Sequence, residues 1–343
     1  MPAITPSYQI INPSYIMPEM ILSYQQASGA FAVMASGNPL VRLSDGDQYV
    51  YMKRLDIRTQ VASSQAGNAN QLPSVSLEAR MVSTPTYMFR ARAIYDHHDM
   101  SAAGNWGIAL PEAQRLGTRQ AIFQQMRGAL LNGMNPAGGE GVLNTNGATT
   151  VNLPPDSSGN TSVLTYDHGE MSQFILGQIL AIRTRTMQMG LPTRMVILGP
   201  QRTLGAMEML QVVQLTSYQR PGAGTATVSG VVEGIAGDAD CGIEWVYDDT
   251  LIGSGDGGTD AVIISMPEVK RPEVNSKVNT NEFAKLSPSL EATSLMLCDM
   301  PAPREIPTPI AGGAIDVLSE LRSTSGWVVR PEALTIISMA YDN

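Results

Sequence analysis

Charged side chains are scarce in this sequence. They make up 15% of its 343 residues, where a soluble domain carries about a quarter, and only four are lysines: Lys53, Lys270, Lys277 and Lys285. A surface so poor in charge is expected to be covered largely by neighbouring molecules. The formal net charge of −9 excludes tight, sequence-specific nucleic-acid binding, which needs clustered Lys and Arg to displace counterions. It permits enclosing nucleic acid without gripping it. Cys241 and Cys298 form no CxxC pair and no disulfide framework, which points to folding in a reducing compartment such as the cytoplasm. No charged segment precedes an apolar run near Met1, and no apolar run reaches eighteen residues, so neither a secretion signal nor a membrane helix is expected.

The signatures of common catalysis are missing too. No Walker lysine follows a Gly-rich loop, and neither a GxSxG elbow nor a Ser-x-x-Lys pair occurs. Gly253, Gly255 and Gly258 spell GxGxxG, but the residues after them, Thr259 to Met266, read as a strand, whereas a dinucleotide site needs a helix there. Asp96, His97, His98 and Asp99 make the best metal-like cluster. Adjacent histidines on a strand point to opposite faces, so a structural role is favoured over a shared metal. His168 lies between Asp167 and Glu170, a helix-cap pattern, and Asp256 and Asp260 flank Gly257 and Gly258 in a turn that explains them as well as calcium would. No catalytic residue, cofactor site or metal site is assigned.

What is there is architecture. From Met1 to Val41 the only charged side chain is Glu19, and Pro2, Pro6, Pro13, Pro18 and Pro39 break any long element. The segment reads as an extended arm, with at most a short helix near Ile21 to Met34, whose Tyr8 and Tyr15 are costly to leave in water. Gln48 to Thr59 and Glu78 to Tyr95 read as two long strands, the second alternating Tyr87, Phe89, Ala91 and Ala93. Between them lies a polar tip from Ser63 to Ser76. Strands of a dozen residues reach roughly 40 Å, so the hairpin should leave the body and dock on a partner. It carries Arg42, Lys53, Arg54, Arg58, Arg80, Arg90 and Arg92 against four acids, a local basic excess suited to an acidic neighbouring copy.

Pro111 to Gly133 reads as a long amphipathic helix, with a stripe through Leu116, Phe123 and Leu130 and with Ala113, Met126 and Arg127 between them, Pro111 in the first turn and Gly133 placed to end it in the left-handed conformation. Gly133 to Gly141 then reads as a flexible turn. Asp167 and Glu170 stand at N-cap spacing before a helix with Met171, Ile175, Ile179 and Ile182 on one face, stopped by Gly190 and Pro192. A strand at Met195 to Leu198 and a helix at Arg202 to Gln214 complete an α/β pattern. Gly222 to Gly237 reads as a loop or irregular strands. Further strands are expected at Ile243 to Tyr247, Ala261 to Met266, Ala314 to Leu321 and Trp327 to Ile337, and the proline-laden run Met300 to Pro309 as a crossing between lobes.

The segment ALLNG, a short Gly-rich loop, then VLN over Ala129 to Asn144, and STSGWVVRP over Ser323 to Pro331, resemble the major capsid proteins of tailed bacteriophages with the Hong Kong 97-type fold. The order of elements along nearly the whole chain is similar too. The resemblance implies an α+β fold: an N-terminal arm over 1–40, an E-loop hairpin over 41–95, a peripheral domain over 96–164 with a spine helix at 111–133, an axial α/β domain over 165–300, and C-terminal strands over 301–343 returning to the peripheral domain. It implies a structural, non-enzymatic protein that assembles into hexamers and pentamers of an icosahedral virion shell around double-stranded DNA. The partners are other copies of itself, with portal, scaffold and decoration proteins as further candidates and no membrane. Assembly is expected in the bacterial host cytoplasm. Tyr8, Tyr15, Lys53, Arg54, Arg58, Gln65, Asn68, Arg80, Arg90 and Arg92 are the expected subunit-interface residues. The hairpin tip has no lysine, so non-covalent packing is expected rather than a Lys-to-Asn crosslink. An encapsulin-like nanocompartment is the nearest alternative, and an α/β enzyme with an unfamiliar site the more distant one.

Overall fold

The computed structural model describes residues 30–34, 42–58, 76–105, 107, 109–186, 193–209, 211–212, 226–238, 241–269, 294–300, 302–310 and 313–342. The expected arm lies outside them except for one 3-10 turn at Ala30–Val33, whose Ala30 and Val33 are fully buried. This turn replaces the described end of the short helix expected at Ile21 to Met34.

Strands β1 (Tyr49–Arg58) and β2 (Ser76–Tyr95) form the hairpin, antiparallel with Tyr49 opposite Pro85 and Arg58 opposite Ser76. Helices α1 (His97–Asn105) and α2 (Leu110–Asn132) follow, then β3 (Thr149–Asn152) and α3 (His168–Arg185). Next come β4 (Thr193–Gly199), α4 (Gln201–Met209), the two-residue strands β5 (Gln211–Val212) and β6 (Ala226–Thr227), α5 (Val228–Asp238), β7 (Cys241–Tyr247) and β8 (Asp260–Ser265). The chain closes with β9 (Leu295–Met296), β10 (Arg304–Ile310), β11 (Ala314–Thr324), β12 (Trp327–Val328) and β13 (Leu334–Met339).

Two sheets organise these elements. The four-stranded sheet runs β1-β2-β11-β10, antiparallel throughout, and the five-stranded sheet runs β3-β13-β8-β4-β7 with mixed directions. Successive side chains of a strand point to opposite faces, and β8 is buried on both, which explains its unbroken apolar run. Val262 and Ile264, with Met195 and Ile197 of β4 and Ile337 and Met339 of β13, face Met171, Ile175, Ile179 and Ile182 of α3 and Val228, Val232 and Ala236 of α5. Ala261 and Ile263, with Val196, Leu198, Leu334 and Ile336, face the other way, onto Leu130 and Leu131 of α2 and the Ala30–Val33 turn. That second core also takes in Phe89 of β2 and Leu321 of β11, so α2 joins the two sheets.

Several expectations need correction. Gly222 to Gly237 is not a loop or irregular strands throughout: α5 forms because Val228, Val232 and Ala236, four apart, are buried together, and that burial outweighs the cost of about 1 kcal/mol per helical glycine. Helix α4 stops at Met209 rather than Gln214. The strand expected at Trp327 to Ile337 is two strands split by a 3-10 turn at Pro331–Ala333, because proline restricts the residue before it and donates no hydrogen bond. The crossing Met300 to Pro309 contains β10, the edge strand that carries Pro307 and Pro309. His97 and His98 lie on a helix, α1, not a strand; Asp96 and Asp99 each accept the other's backbone N–H, at 3.2 and 2.8 Å, and cap it.

Candidate functional site: the hairpin and the long helix

The base of the hairpin exposes apolar side chains on one face. Tyr49 and Tyr51 alternate with buried Val50 and are 54% and 62% exposed, and Met81, opposite Lys53 in the ladder, is 69% exposed. The two tyrosine rings lie 6.2 Å apart. Burying such a side chain gains about 1.5–3 kcal/mol, so this face gains strongly from being covered.

Two of the arginines expected to reach an acidic neighbour, Arg90 and Arg92, have partners at home. Arg92 Nε donates to both carboxylate oxygens of Asp316 at 2.9 Å, which raises the arginine's pKa and lowers the aspartate's. Arg90 lies 3.4 Å from Glu320. Both acids come from β11, the strand paired with β2. Arg115 and Arg119 of α2 share Glu305 of β10 at 2.8 and 3.2 Å. Solvent screens these exposed pairs; the first two offset part of the hairpin's basic excess, and Glu305 clips α2 to β10. Lys53 and Arg80 are exposed. Arg54 and Arg58 lie on β1, with Arg54 opposite Arg80. Tyr8, Tyr15, Gln65 and Asn68 lie outside the described residues.

Helix α2 buries only part of the expected stripe, Met126 and Leu130. Thr118, Ile122, Met126 and Ala129 point inward with Leu130 and Leu131, while Leu116 and Phe123 stand 58% and 47% exposed. The sheet selected the stripe at 118, 122, 126 and 129, which sits on β2 and β11, and left Leu116 and Phe123 of the other stripe to solvent.

The end of α2 is pinned, not flexible. A helix leaves its last carbonyls without partners; here the Gly-rich loop returns and caps them. Gly133 N and Gly326 N donate to Ala129 O at 3.1 and 3.2 Å, Val142 N to Leu130 O at 3.0 Å and Leu143 N to Leu131 O at 2.9 Å. Asn144 Nδ2 donates to Asn132 O at 2.8 Å. The sequence VLN is thus laid residue by residue on LLN. Gly133 has φ 73° and ψ 167°, a region open essentially to glycine alone and not the left-handed cap expected. Glu140 locks the loop from outside: its carboxylate accepts from Tyr87 Oη at 2.9 Å, Ser325 Oγ at 2.8 Å and Asn135 N at 3.1 Å. Burial first, and then this hydrogen bond, push the Tyr87 phenol up to about 12.

Residues 60–216 match the family model described as Major capsid protein. The capsid of Myoviridae phage XM1 superposes at a TM-score of 0.65 with 11% identity, covering 96% of this chain and 99% of that one. The capsid of an empty GTA particle superposes at 0.52 with 10% identity, over 96% and 95% of the two chains, and a Mycobacterium phage Che8 structure at 0.54 with 8% identity, over 96% and 98%. Over residues 60–216 the chain is similar to major capsid proteins, and over nearly its whole length it shares the fold of phage capsids. No curated protein matches the sequence. The Hong Kong 97-type fold is therefore established, at identities far too low for residue-level transfer.

The clusters weighed for chemistry serve the capsid fold. Asp260 is buried and accepts from Arg202 at 2.8 and 2.5 Å, from Thr203 Oγ1 at 2.6 Å and from Gly253 N at 3.2 Å. Burial pushes its carboxyl up, and these hydrogen bonds outweigh that to leave it lowered. Asp256 is exposed and accepts from Asn152 Nδ2 at 3.3 Å. Asp167 caps α3 through Glu170 N at 2.9 Å, with His168 as the helix's first residue. The His97 and His98 rings lie with centroids 3.9 Å apart and planes tilted by 40°, both exposed. Among the described residues no group of three or more His, Cys, Asp or Glu could hold a metal, and no helix is long and apolar enough to cross a membrane. The role of Glu140 was missed by the sequence reading, and Leu116 and Phe123 were placed on the inward stripe; a helical wheel of α2 carries two competing apolar stripes, and only the sheet decides between them.

Proposed function

We propose that this chain is a capsid protein that assembles into the hexamers and pentamers of an icosahedral virion shell enclosing double-stranded DNA. The observation that carries this reading is a subunit whose two cores are complete while the hairpin face of Tyr49, Tyr51 and Met81 and the helix stripe of Leu116 and Phe123 remain exposed. Such surfaces suit neighbouring copies, and weak contacts shared among several neighbours add up through multivalency. Net charge −9 favours a wall that repels packaged duplex, so that DNA slides along it and is ejected.

In this reading residues 1–40 are the arm, 41–95 the E-loop, 96–164 the peripheral domain with α2 as its spine, 165–300 the axial domain and 301–343 the returning strands. Tyr8, Tyr15, Lys53, Arg54, Arg58, Gln65, Asn68 and Arg80 face neighbouring subunits; Arg90 and Arg92 do so while paired within the chain. Assembly takes place in the host cytoplasm, with portal, scaffold and decoration proteins as further partners. Deleting Ser63 to Ser76 tests the E-loop role: the subunit should stay soluble while shells disappear from negative-stain micrographs. Normal particles would refute it, and protein cargo in place of DNA inside purified particles would refute the genome-enclosing role.

A further inference from the structure

The chain contains two Asn-Gly pairs, Asn132–Gly133 and Asn146–Gly147, and the fold treats them in opposite ways. Asn-Gly is the dipeptide in which a backbone nitrogen most easily reaches the preceding side-chain amide, because glycine has no Cβ to obstruct the approach and the widest choice of backbone angles. At Asn132 the path is shut. Gly133 N–H is committed to Ala129 O at 3.1 Å, Asn132 O is held by Asn144 Nδ2 at 2.8 Å, and a Cβ built on Gly133 would lie 2.3 Å from Glu140 O. Asn132 also belongs to the last turn of α2, so closing a ring there would undo the capping of the helix.

Asn146 is placed differently. Asn146 and Gly147 are exposed, in a turn closed by a single long bond, Ala148 N to Thr145 O at 3.3 Å. Among the described residues no acceptor takes the Gly147 N–H. Gly147 has φ +87°, and a Cβ built there would meet nothing nearer than Pro331 Cγ at 3.5 Å.

We propose that Asn146 is a self-modification site of the folded protein. The deprotonated Gly147 backbone nitrogen attacks Asn146 Cγ, forming an N–Cγ bond; the Cγ–Nδ2 bond breaks and ammonia leaves with a proton from water. The resulting succinimide is opened by water at either carbonyl, giving aspartate or isoaspartate at 146. No oxidation or reduction is involved and water is the only co-reactant. The product places a carboxylate, or a backbone longer by one carbon, where the Asn146 amide now rests beside Gly139, against the loop that caps α2. The modification therefore ages each subunit at the point that holds its long helix.

The test holds the purified full-length protein at mildly alkaline pH and growth temperature, samples it over days, and follows both sites by peptide mass spectrometry with isoaspartate detection. A fully denatured sample runs in parallel. In the native protein Asn146 should convert more than about 10-fold faster than Asn132, the ratio that 1.4 kcal/mol of local opening imposes; in the denatured chain the two should convert at comparable rates. Asn146→Gln should abolish the product at 146 and leave Asn132 unchanged. Equal native rates at the two sites, or no native conversion at Asn146 while the denatured chain reacts, would overturn the proposal.

Discussion

Gly133 and Gly141 cross at the end of α2 so closely that neither has room for a side chain. A Cβ on Gly141 would stand 2.3 Å from Gly133 N, and one on Gly133 would stand 2.3 Å from Glu140 O. The obstructing atoms are backbone and cannot turn away. Gly141→Ala is therefore expected to cost on the order of 3 kcal/mol, from the strained positive φ and the lost caps together. Gly128→Ala, inside the same helix with open space around its Cβ, should instead stabilise by about 0.5–1 kcal/mol. Urea denaturation of the unassembled subunit measures both.

Tyr87 and Glu140 join β2 to this loop. Tyr87→Phe removes one donor to a charged acceptor and should cost about 1.5–3 kcal/mol. A tyrosine raised from 10.0 to about 12 is favoured in its neutral form by folding, so its contribution is complete below pH 10 and is lost as pH rises from 10 towards 12. Stability curves of the wild type and of Tyr87→Phe should converge across that window, and unchanged separation would contradict the assignment.

Asp260 works in the opposite direction. Its folded pKa lies below the 3.8 of the free side chain, so its stabilisation is present above pH 4 and fades as acid carries the protein through the folded value. Asp260→Asn should weaken the protein at neutral pH by about 1–3 kcal/mol, since Arg202, Thr203 and Gly253 N–H lose a shared anionic acceptor. It should also flatten the acid limb of the stability profile, which thermal unfolding between pH 3 and pH 7 would read directly.

Leu116 and Phe123 separate folding from assembly. Both are exposed, so Leu116→Ser with Phe123→Ser should alter subunit stability by no more than about 0.5 kcal/mol. Shell formation should fall sharply, because each side chain gains about 1.5–3 kcal/mol when covered. Size-exclusion chromatography would show the double variant as small species at concentrations where the wild type forms particles. Particles at the normal yield would remove this stripe from the proposed interface.

Much of the architecture was legible because it rests on local rules. The Asp167 cap and the Met171, Ile175, Ile179 and Ile182 face needed only helical spacing, and the alternation of Tyr87 and Phe89 needed only the strand period. The failures share a physical cause. Residues of α5 and the inward stripe of α2 acquire their roles from partners distant in sequence, and Gly133 from a loop that doubles back on it. Arg90 and Arg92 looked available because Glu320 and Asp316 lie more than two hundred residues away. The interface surfaces were legible least of all, since they are completed by other molecules.

Pro307 and Pro309, two apart in β10, remove two amide donors from the same side of that edge. At the opposite edge β1 offers ten residues without a proline. Among the described residues the four-stranded sheet therefore has a closed flank and an open one, and a strand recruited from outside can be added in one direction only. Such polarity denies subunits the edge-to-edge stacking that ends in fibres.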